Sequence, residues 1–259
     1  MKLKQKFKDL DFAYGTWTQF GSPEVVEVLG YSKQFDFTII DTEHTYYGLE
    51  TAENLVRAAN ASGLSALVRV YANEPNLIGK VLDMGADGVV VPQITNREEA
   101  EKVVQAAYYF PRGNRGVCPF VRAGGHMATD WQTFADSQND ETFVMIMVEG
   151  AAGLANLSEI VKVKGIDAIM MGPMDLTVSL GIGGQLDHPL LKQHVTEAVR
   201  ICDENGIKFV MPVQKQDIDE SIEAMKLWRS LGCKYFTVGA DKLFIANYIK
   251  HLHKGLRNA

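Results

Sequence analysis

Short apolar runs alternate with amphipathic segments along almost the whole chain. Two of these runs, residues 143–148 and 166–171, contain only one charged residue between them. Such runs are typical of parallel strands that helices cover on both faces, because neither face meets water. Between the runs, segments such as residues 49–61 repeat apolar residues at helical spacing. The pattern therefore predicts parallel strands that alternate with helices.

Eight strands are predicted, and helix-length segments separate them. The strand ranges are residues 12–20, 35–40, 65–70, 86–91, 143–148, 166–171, 207–212 and 235–238. This alternation implies a single (β/α)8 TIM barrel over residues 1–259, in which residues 243–259 form a C-terminal helix. Residues 110–140 are rich in Pro and Gly and too long for an ordinary connection. They are predicted to be an irregular lid or binding segment.

Composition and charge agree with a barrel and exclude several classes of protein. The chain has 259 residues, 46% of them hydrophobic, and a formal net charge of −6. The acidic balance and scattered Lys and Arg predict no nucleic-acid partner. No apolar run approaches the ~20 residues that span a bilayer, so no membrane partner is expected. The N-terminus lacks an apolar signal core, which predicts a cytoplasmic protein. The widely spaced Cys118, Cys202 and Cys233 are predicted to be reduced thiols.

Two acidic residues, Glu149 and Asp175, follow neighbouring apolar runs. They are expected at the carboxyl ends of consecutive parallel strands, where α/β folds bind their ligands. Hard oxygen donors suit Mg²⁺ or Mn²⁺ that keeps several waters, so the pair predicts a divalent-metal site. The alternative is that each acid belongs to a helix N-cap or first turn. Zinc is less favoured, because His44 is the only histidine at a strand end.

Asp41, His44 and Arg69 come at the ends of the second and third predicted strands, and Asp83 ends the helix that follows. Arg69 can bind an oxyanion or a carboxylate through its guanidinium fork, or it can form an ion pair with an acid at the barrel rim. His44 can transfer protons near neutral pH, or it can be an ordinary satisfied polar residue. Asp41 and Asp83 are candidates to hold the imidazole. Spacing alone favours Asp83 as a helix-end residue that faces solvent.

Other chemistries lack the residues that they need. A Schiff-base aldolase requires a lysine late in a barrel strand, and no lysine has that position. The segments GADGVV and FPRGNRG match neither the P-loop nor the dinucleotide fingerprint. We therefore predict no organic cofactor.

Several motifs, in order and spacing, resemble those of the HpcH/HpaI aldolase family. The motifs are IIDTEHTYYGLE, LVRV, VLDMGADGVVVPQITNREEAEKVV, FPRGNRGV, VEGAAGLANL, IDAIMMGPMDLTVSLG and YFTVGAD. Members of this family are metal-dependent (class II) pyruvate aldolases of the phosphoenolpyruvate/pyruvate barrel superfamily, including enzymes that act on 4-hydroxy-2-oxo-heptanedioate. The resemblance covers nearly the whole chain and implies the same fold and activity.

The resemblance also implies roles for single residues. The metal carboxylates fall on Glu149 and Asp175, the transition-state arginine on Arg69, the acid/base histidine on His44, and the carboxylate that raises its basicity on Asp83, with Asp41 as further support. The main chain around Met174, in the segment Gly172, Pro173 and Met174, would bind the pyruvoyl end of the substrate. Family members are hexamers, so a homo-oligomer is expected, with the terminal helix docked on a neighbouring subunit.

This chain departs from the family pattern at two positions in the pocket. Met147 stands where many members have a glutamine that contacts the substrate, and Met174 replaces a residue that is usually small. Both changes make the pocket bulkier and more apolar. The expected reaction is divalent-metal-dependent (Mg²⁺, Mn²⁺ or Co²⁺) retro-aldol cleavage of a 4-hydroxy-2-oxo acid to pyruvate and an aldehyde. The alternatives are a lyase for CoA thioesters of the citrate or malyl-CoA type and a non-catalytic barrel that binds a 2-oxo acid.

Overall fold

The strands form one closed barrel in the order β1 to β8 in a computed structural model that describes residues 2–258. Every neighbouring pair is parallel, including β1 with β8. The strands are β1 Ala13–Thr18, β2 Phe37–Asp41, β3 Ser65–Arg69, β4 Gly88–Val91, β5 Phe143–Val148, β6 Ala168–Met171, β7 Lys208–Val213 and β8 Tyr235–Ala240. The predicted (β/α)8 TIM barrel is confirmed.

Helices surround the barrel and close one of its ends. They are α1 Leu3–Asp9, α2 Pro23–Ser32, α3 Leu49–Ser62, α4 Pro75–Asp83, α5 Arg97–Ala107, α6 Trp131–Glu141, α7 Ala151–Ala155, α8 Leu157–Ile160, α9 Pro173–Ser179, α10 Pro189–Glu204, α11 Ile218–Ser230 and α12 Asp241–Asn258. None of the helices within residues 2–258 has the length and apolar character that crossing a membrane requires.

Among the described residues, α1, α6, α7 and α9 are α-helices that the sequence pattern did not predict. The segment 110–140 was interpreted as irregular, but its last third forms α6, whose N-cap Asp130 accepts a hydrogen bond from the Thr133 main-chain N–H. Helix α9 starts directly after β6, so Asp175 lies in its first turn. Helix α1 precedes the barrel. These helices are short or begin in Pro- and Gly-rich sequence, which hides their periodicity.

The barrel interior is apolar and is closed at the amino ends of the strands. Side chains alternate along β5, where Phe143, Met145 and Met147 point into the barrel while their neighbours face the helices. Phe7 of α1 packs at the strand starts, with its ring centroid 4.8 Å from that of Phe143 and 5.0 Å from that of Tyr235. A ligand can therefore approach the interior from the carboxyl ends of the strands, as in other TIM barrels.

The three thiols differ in access to solvent. Cys118 is exposed, whereas burial raises the pKa of Cys202 and of Cys233 to about 12. Because the thiolate is the reactive form, we expect only Cys118 to react quickly with Ellman's reagent in the folded protein near neutral pH. The Cys118→Ser variant should lose this fast phase. Rapid labelling of a second thiol in the folded protein would contradict the burial of Cys202 and Cys233.

Candidate active site

Side chains from most of the strand ends line one cavity of about 210 Å³ at the open rim of the barrel. Its lining residues are Trp17, Gln19, His44, Arg69, Met147, Glu149, Gly172, Pro173, Met174, Asp175, Leu186, Pro212 and Gln214. All the predicted site residues except Asp41 and Asp83 line this cavity. A larger depression of about 450 Å³ lies outside the barrel. The rim cavity is the better candidate, because the acids, the arginine and the histidine converge there.

Glu149 and Asp175 reach the rim from consecutive strands. Glu149 directly follows β5, and Asp175 lies in the first turn of α9 after β6. Gly172 makes room for the first carboxylate, since a Cβ atom there would lie 2.8 Å from Oε1 of Glu149. A larger residue at position 172 would therefore displace this acid.

Glu149 is held by a main-chain donor that no motif indicated. The N–H of Gln93 donates to Oε2 of Glu149 at 2.9 Å. Gln93 follows β4 and has a φ of 58°, in the left-handed region that non-glycine residues rarely adopt. Such strain is frequent where a main-chain group must point at a functional site.

The acids at the rim fit a divalent cation. Burial raises the pKa of Glu149; the Gln93 N–H opposes this shift, and the charges of Glu43 and Asp175 add to it. A cation would relieve this repulsion between hard oxygen donors. Within residues 2–258 no group of three or more His, Cys, Asp or Glu side chains has a metal-binding arrangement. Glu149 and Asp175, which line one cavity, are hard oxygen donors that fit an ion whose other ligands come from water or substrate.

Arg69 is held on three sides. Its Nε and Nη2 atoms donate to the two carboxylate oxygens of Asp41 at 3.0 and 2.8 Å. Its Nη1 lies 3.1 Å from Oε2 of Glu43, and its guanidinium lies 4.5 Å from the centre of the Trp17 ring. Burial alone would raise the pKa of Asp41, but hydrogen bonds and charge from Arg69 hold that pKa below its usual value. The guanidinium is thus fixed where it borders the cavity.

Asp41 was predicted to support the imidazole of His44, but its carboxylate pairs with Arg69. No hydrogen bond between the Asp41 carboxylate and the His44 imidazole is present among the described residues. Its only described contact with His44 is a hydrogen bond from the histidine main-chain N–H, at 3.2 Å. The imidazole Nε2 instead lies 3.9 Å from Oε2 of Glu43, and the His44 side chain is 67% exposed. Arg69 is the stronger partner for Asp41, because the neighbouring strands place the two residues side by side.

Asp83 lies away from the rim cavity in this chain. It ends α4, its carboxylate accepts a hydrogen bond from Arg115, and it lines the outer depression together with Glu50 and Arg122. No described contact joins it to His44. Its role in raising the basicity of that histidine stays a prediction.

Several residues of the site carried no assigned role in the sequence analysis, among them Glu43, Gln19 and Gln93. Glu43 lies between Arg69 and His44, and its place inside the polar run Asp41 to His44 was a signal that could have identified it. Gln19 donates from Nε2 to Oδ2 of Asp41 at 3.1 Å. Gln93 acts through its main chain, so its side-chain identity gives no clue.

The remaining wall of the cavity is apolar. Met147 closes the interior side and is 3% exposed, while Met174 is 54% exposed at the entrance. Leu186 and Pro212 complete this side. The cavity therefore combines one charged half with one hydrophobic half.

A closed parallel barrel whose rim combines carboxylates, an arginine and a histidine defines a TIM-barrel enzyme. Residues 14–238 match the model of the HpcH/HpaI aldolase/citrate lyase family. The chain belongs to this family, as its motifs predicted.

Named relatives agree with this assignment. The chain is 34% identical to 2-dehydro-3,6-dideoxy-6-sulfogluconate aldolase of Pseudomonas putida, over 74% of each chain. It is 29% identical to hydroxypyruvate/pyruvate aldolase of Roseobacter denitrificans, over 95% of this chain and 93% of the relative. The solved structure of citrate synthase SbnG has a TM-score of 0.84 and 30% identity, over 99% of this chain and 96% of that chain. The protein is an aldolase-type carbon–carbon lyase.

Replacing Asp41 tests the buried ion pair. The Asp41→Ala variant would leave the Arg69 charge with less compensation inside the protein. We expect its free energy of unfolding, measured by urea denaturation, to fall by about 3–5 kcal/mol. The matched control is Glu101→Ala, which removes the exposed partner of Arg97. That change should cost at most about 1 kcal/mol. Equal losses of unfolding free energy in both variants would show that the buried Asp41–Arg69 pair stabilises the protein no more than an exposed ion pair does.

Proposed function

We propose that the protein catalyses the reversible, divalent-metal-dependent cleavage of a 4-hydroxy-2-oxo acid to pyruvate and an aldehyde. The observation that carries this proposal is the convergence of Glu149, Asp175, Arg69 and His44 on one rim cavity. The family match and a relative named hydroxypyruvate/pyruvate aldolase support the same reaction class.

Glu149 and Asp175 are proposed to hold the cation, Mg²⁺, Mn²⁺ or Co²⁺. Carboxylate and water ligands suit Mg²⁺ and Mn²⁺ in particular. A bound divalent ion acts as a Lewis acid that polarises the oxygens of a 2-oxo acid. Gly172, Pro173 and Met174 line the same cavity, and their main chain is proposed to contact the pyruvoyl end. Met147 would pack against the same end from inside the barrel.

His44 is the proposed acid/base residue. In the cleavage direction it removes the proton from the C4 hydroxyl, the C3–C4 bond breaks, and the aldehyde leaves. The electron pair of that bond passes into the pyruvate fragment as its enolate. Arg69 is proposed to stabilise the enolate oxygen. Its contacts with Asp41 and Glu43 support this role, because they hold the guanidinium in place without substrate. Protonation at C3 then gives pyruvate.

Pyruvate release tests this proposal. The protein would be freed of metal with EDTA, and pyruvate would be measured with 4-hydroxy-2-oxo acids of different chain length after addition of Mg²⁺, Mn²⁺ or Co²⁺. We expect release only with added metal. Glu149→Gln and Asp175→Asn should lower it by more than about 100-fold, since even outer-shell partners of metal ligands cost about 10–100-fold. The control is Glu197→Gln, an exposed acid on α10.

A second candidate, a reaction with a CoA thioester, is supported by the similarity to citrate synthase SbnG. Acetyl-CoA and oxaloacetate would be supplied together and release of the free CoA thiol measured. Thiol release without pyruvate release from any hydroxy-oxo acid would favour this candidate. Failure of both assays while pyruvate and Mn²⁺ still bind would favour the non-catalytic 2-oxo-acid-binding barrel.

We also propose that the protein is a homo-oligomer, with a hexamer expected from the family resemblance, and that α12 contributes to assembly. One face of α12 presents large apolar side chains that are 46% to 69% exposed in the single chain: Ile245, Tyr248, Ile249, Leu252 and Leu256. Spacings of three or four residues separate Ile245, the adjacent pair Tyr248 and Ile249, Leu252 and Leu256, so these side chains form a stripe along the helix. A stripe of this kind suits the surface of another subunit.

Introducing charge into this apolar stripe tests the assembly. The double variant Ile249→Glu/Leu252→Glu should sediment as smaller species than wild type in velocity ultracentrifugation, because buried unpaired charge disfavours an apolar interface. The matched control is Lys254→Glu, which lies on the other side of the helix. An unchanged mass for the double variant would exclude this face from the interface.

A further inference from the structure

A buried carboxylate outside the rim cavity is bonded to the loop that carries part of the site. Asp241, the first residue of α12, is 2% exposed. Its oxygens accept the main-chain N–H of Gln19 at 3.1 and 2.9 Å and that of Phe20 at 2.9 Å. The N–H of Lys242 completes the set at 2.7 Å. The carboxylate therefore fixes the loop after β1 to the start of the last helix.

The bonded loop reaches the active site through the side chain of Gln19. Its Nε2 donates to Oδ2 of Asp41 at 3.1 Å, and Oδ2 also accepts from Nη2 of Arg69 at 2.8 Å. The other oxygen of Asp41 accepts from Nε of Arg69 and from the main-chain N–H groups of Glu43 and His44. Gln19 is thus a neutral side-chain donor to Oδ2 of Asp41, and it lines the cavity itself.

We propose that Asp241 and Gln19 are positioning residues that set the place of the Arg69 guanidinium through Asp41. A carboxylate that served only as a helix cap would bind N–H groups of its own helix. Asp241 binds two N–H groups of a different loop, which is the loop that delivers Gln19 to Asp41. The inference rests on the proposed function, in which Arg69 stabilises the developing enolate.

This arrangement predicts a particular kinetic effect. If Arg69 acts chiefly on the transition state, a small displacement of its guanidinium lowers kcat more than it changes KM. The two positioning residues act in series on one group, so their effects should not multiply in the double variant. A contribution to folding alone would lower thermal stability and leave kcat unchanged.

The test compares Gln19→Leu, Asp241→Asn and the double variant in the full-length protein. We expect each single change to lower kcat for pyruvate release by about 10–100-fold, because a misplacement of about 1 Å can cost that much. KM and the Mn²⁺ affinity measured by calorimetry should change by less than about threefold. Loss of a residue that supports the metal directly would lower the metal affinity by about 10–100-fold. The double variant should resemble the slower single variant.

Matched controls separate positioning from general damage. Gln132→Leu makes the same side-chain change on the exposed face of α6, and Asp217→Asn makes the same change at the N-cap of α11. Both should keep the kcat of wild type. Effects that multiply in the double variant, or single variants with wild-type kcat, would overturn the proposal.

Crystal structures of wild type, Gln19→Leu and Asp241→Asn give a readout that does not depend on turnover. The proposal expects the Arg69 guanidinium to move by more than about 0.5 Å, the tolerance within which catalytic groups must be held. An unmoved guanidinium in both variants would overturn it. A wild-type protein that releases no pyruvate would instead refute the proposed reaction, and the displacement of Arg69 would still decide the positioning role.

Discussion

The site depends on one ion pair between neighbouring strands. Asp41 ends β2 and Arg69 ends β3, and the parallel register places the two residues side by side. The pair is almost fully buried, so both charges have lost their water, a loss that good geometry and further hydrogen bonds must offset. Both Arg69 contacts to Asp41 are direct, and three more N–H donors hold the same carboxylate. Several hydrogen bonds therefore join the Asp41–Arg69 pair to the surrounding rim.

The barrel fold explains why this rim can hold a charged site. Phe7 of helix α1 closes the amino ends of the strands. Met147 belongs to the same apolar interior and lies where that interior meets the rim cavity. Above this floor the carboxyl ends of parallel strands bring residues from distant parts of the sequence together. The hydrophobic interior keeps water away from one side of the charges, which strengthens each interaction among them.

The sequence predicted the fold and most of the site, because both follow from where apolar runs end. Strand ends point to one rim in any closed parallel barrel, so Glu149, Asp175, Arg69 and His44 could be grouped before the structure was known. Side-chain partners could not be predicted in the same way. Asp41 is three residues from His44 in sequence but next to Arg69 in space. Main-chain donors such as that of Gln93 depend on local φ values that residue types do not specify.

The charges at the rim also bear on the proposed reaction. Four carboxylates, Asp41, Glu43, Glu149 and Asp175, accompany one arginine. Asp41 is neutralised by Arg69, whereas burial and mutual repulsion raise the pKa of Glu43 and of Glu149. A 2-oxo acid is itself an anion and would meet this surplus of negative charge at the rim. In the proposed reaction, a divalent cation held by Glu149 and Asp175 would offset this surplus of negative charge. Arg69, already paired with Asp41, would then respond to charge that develops during the reaction.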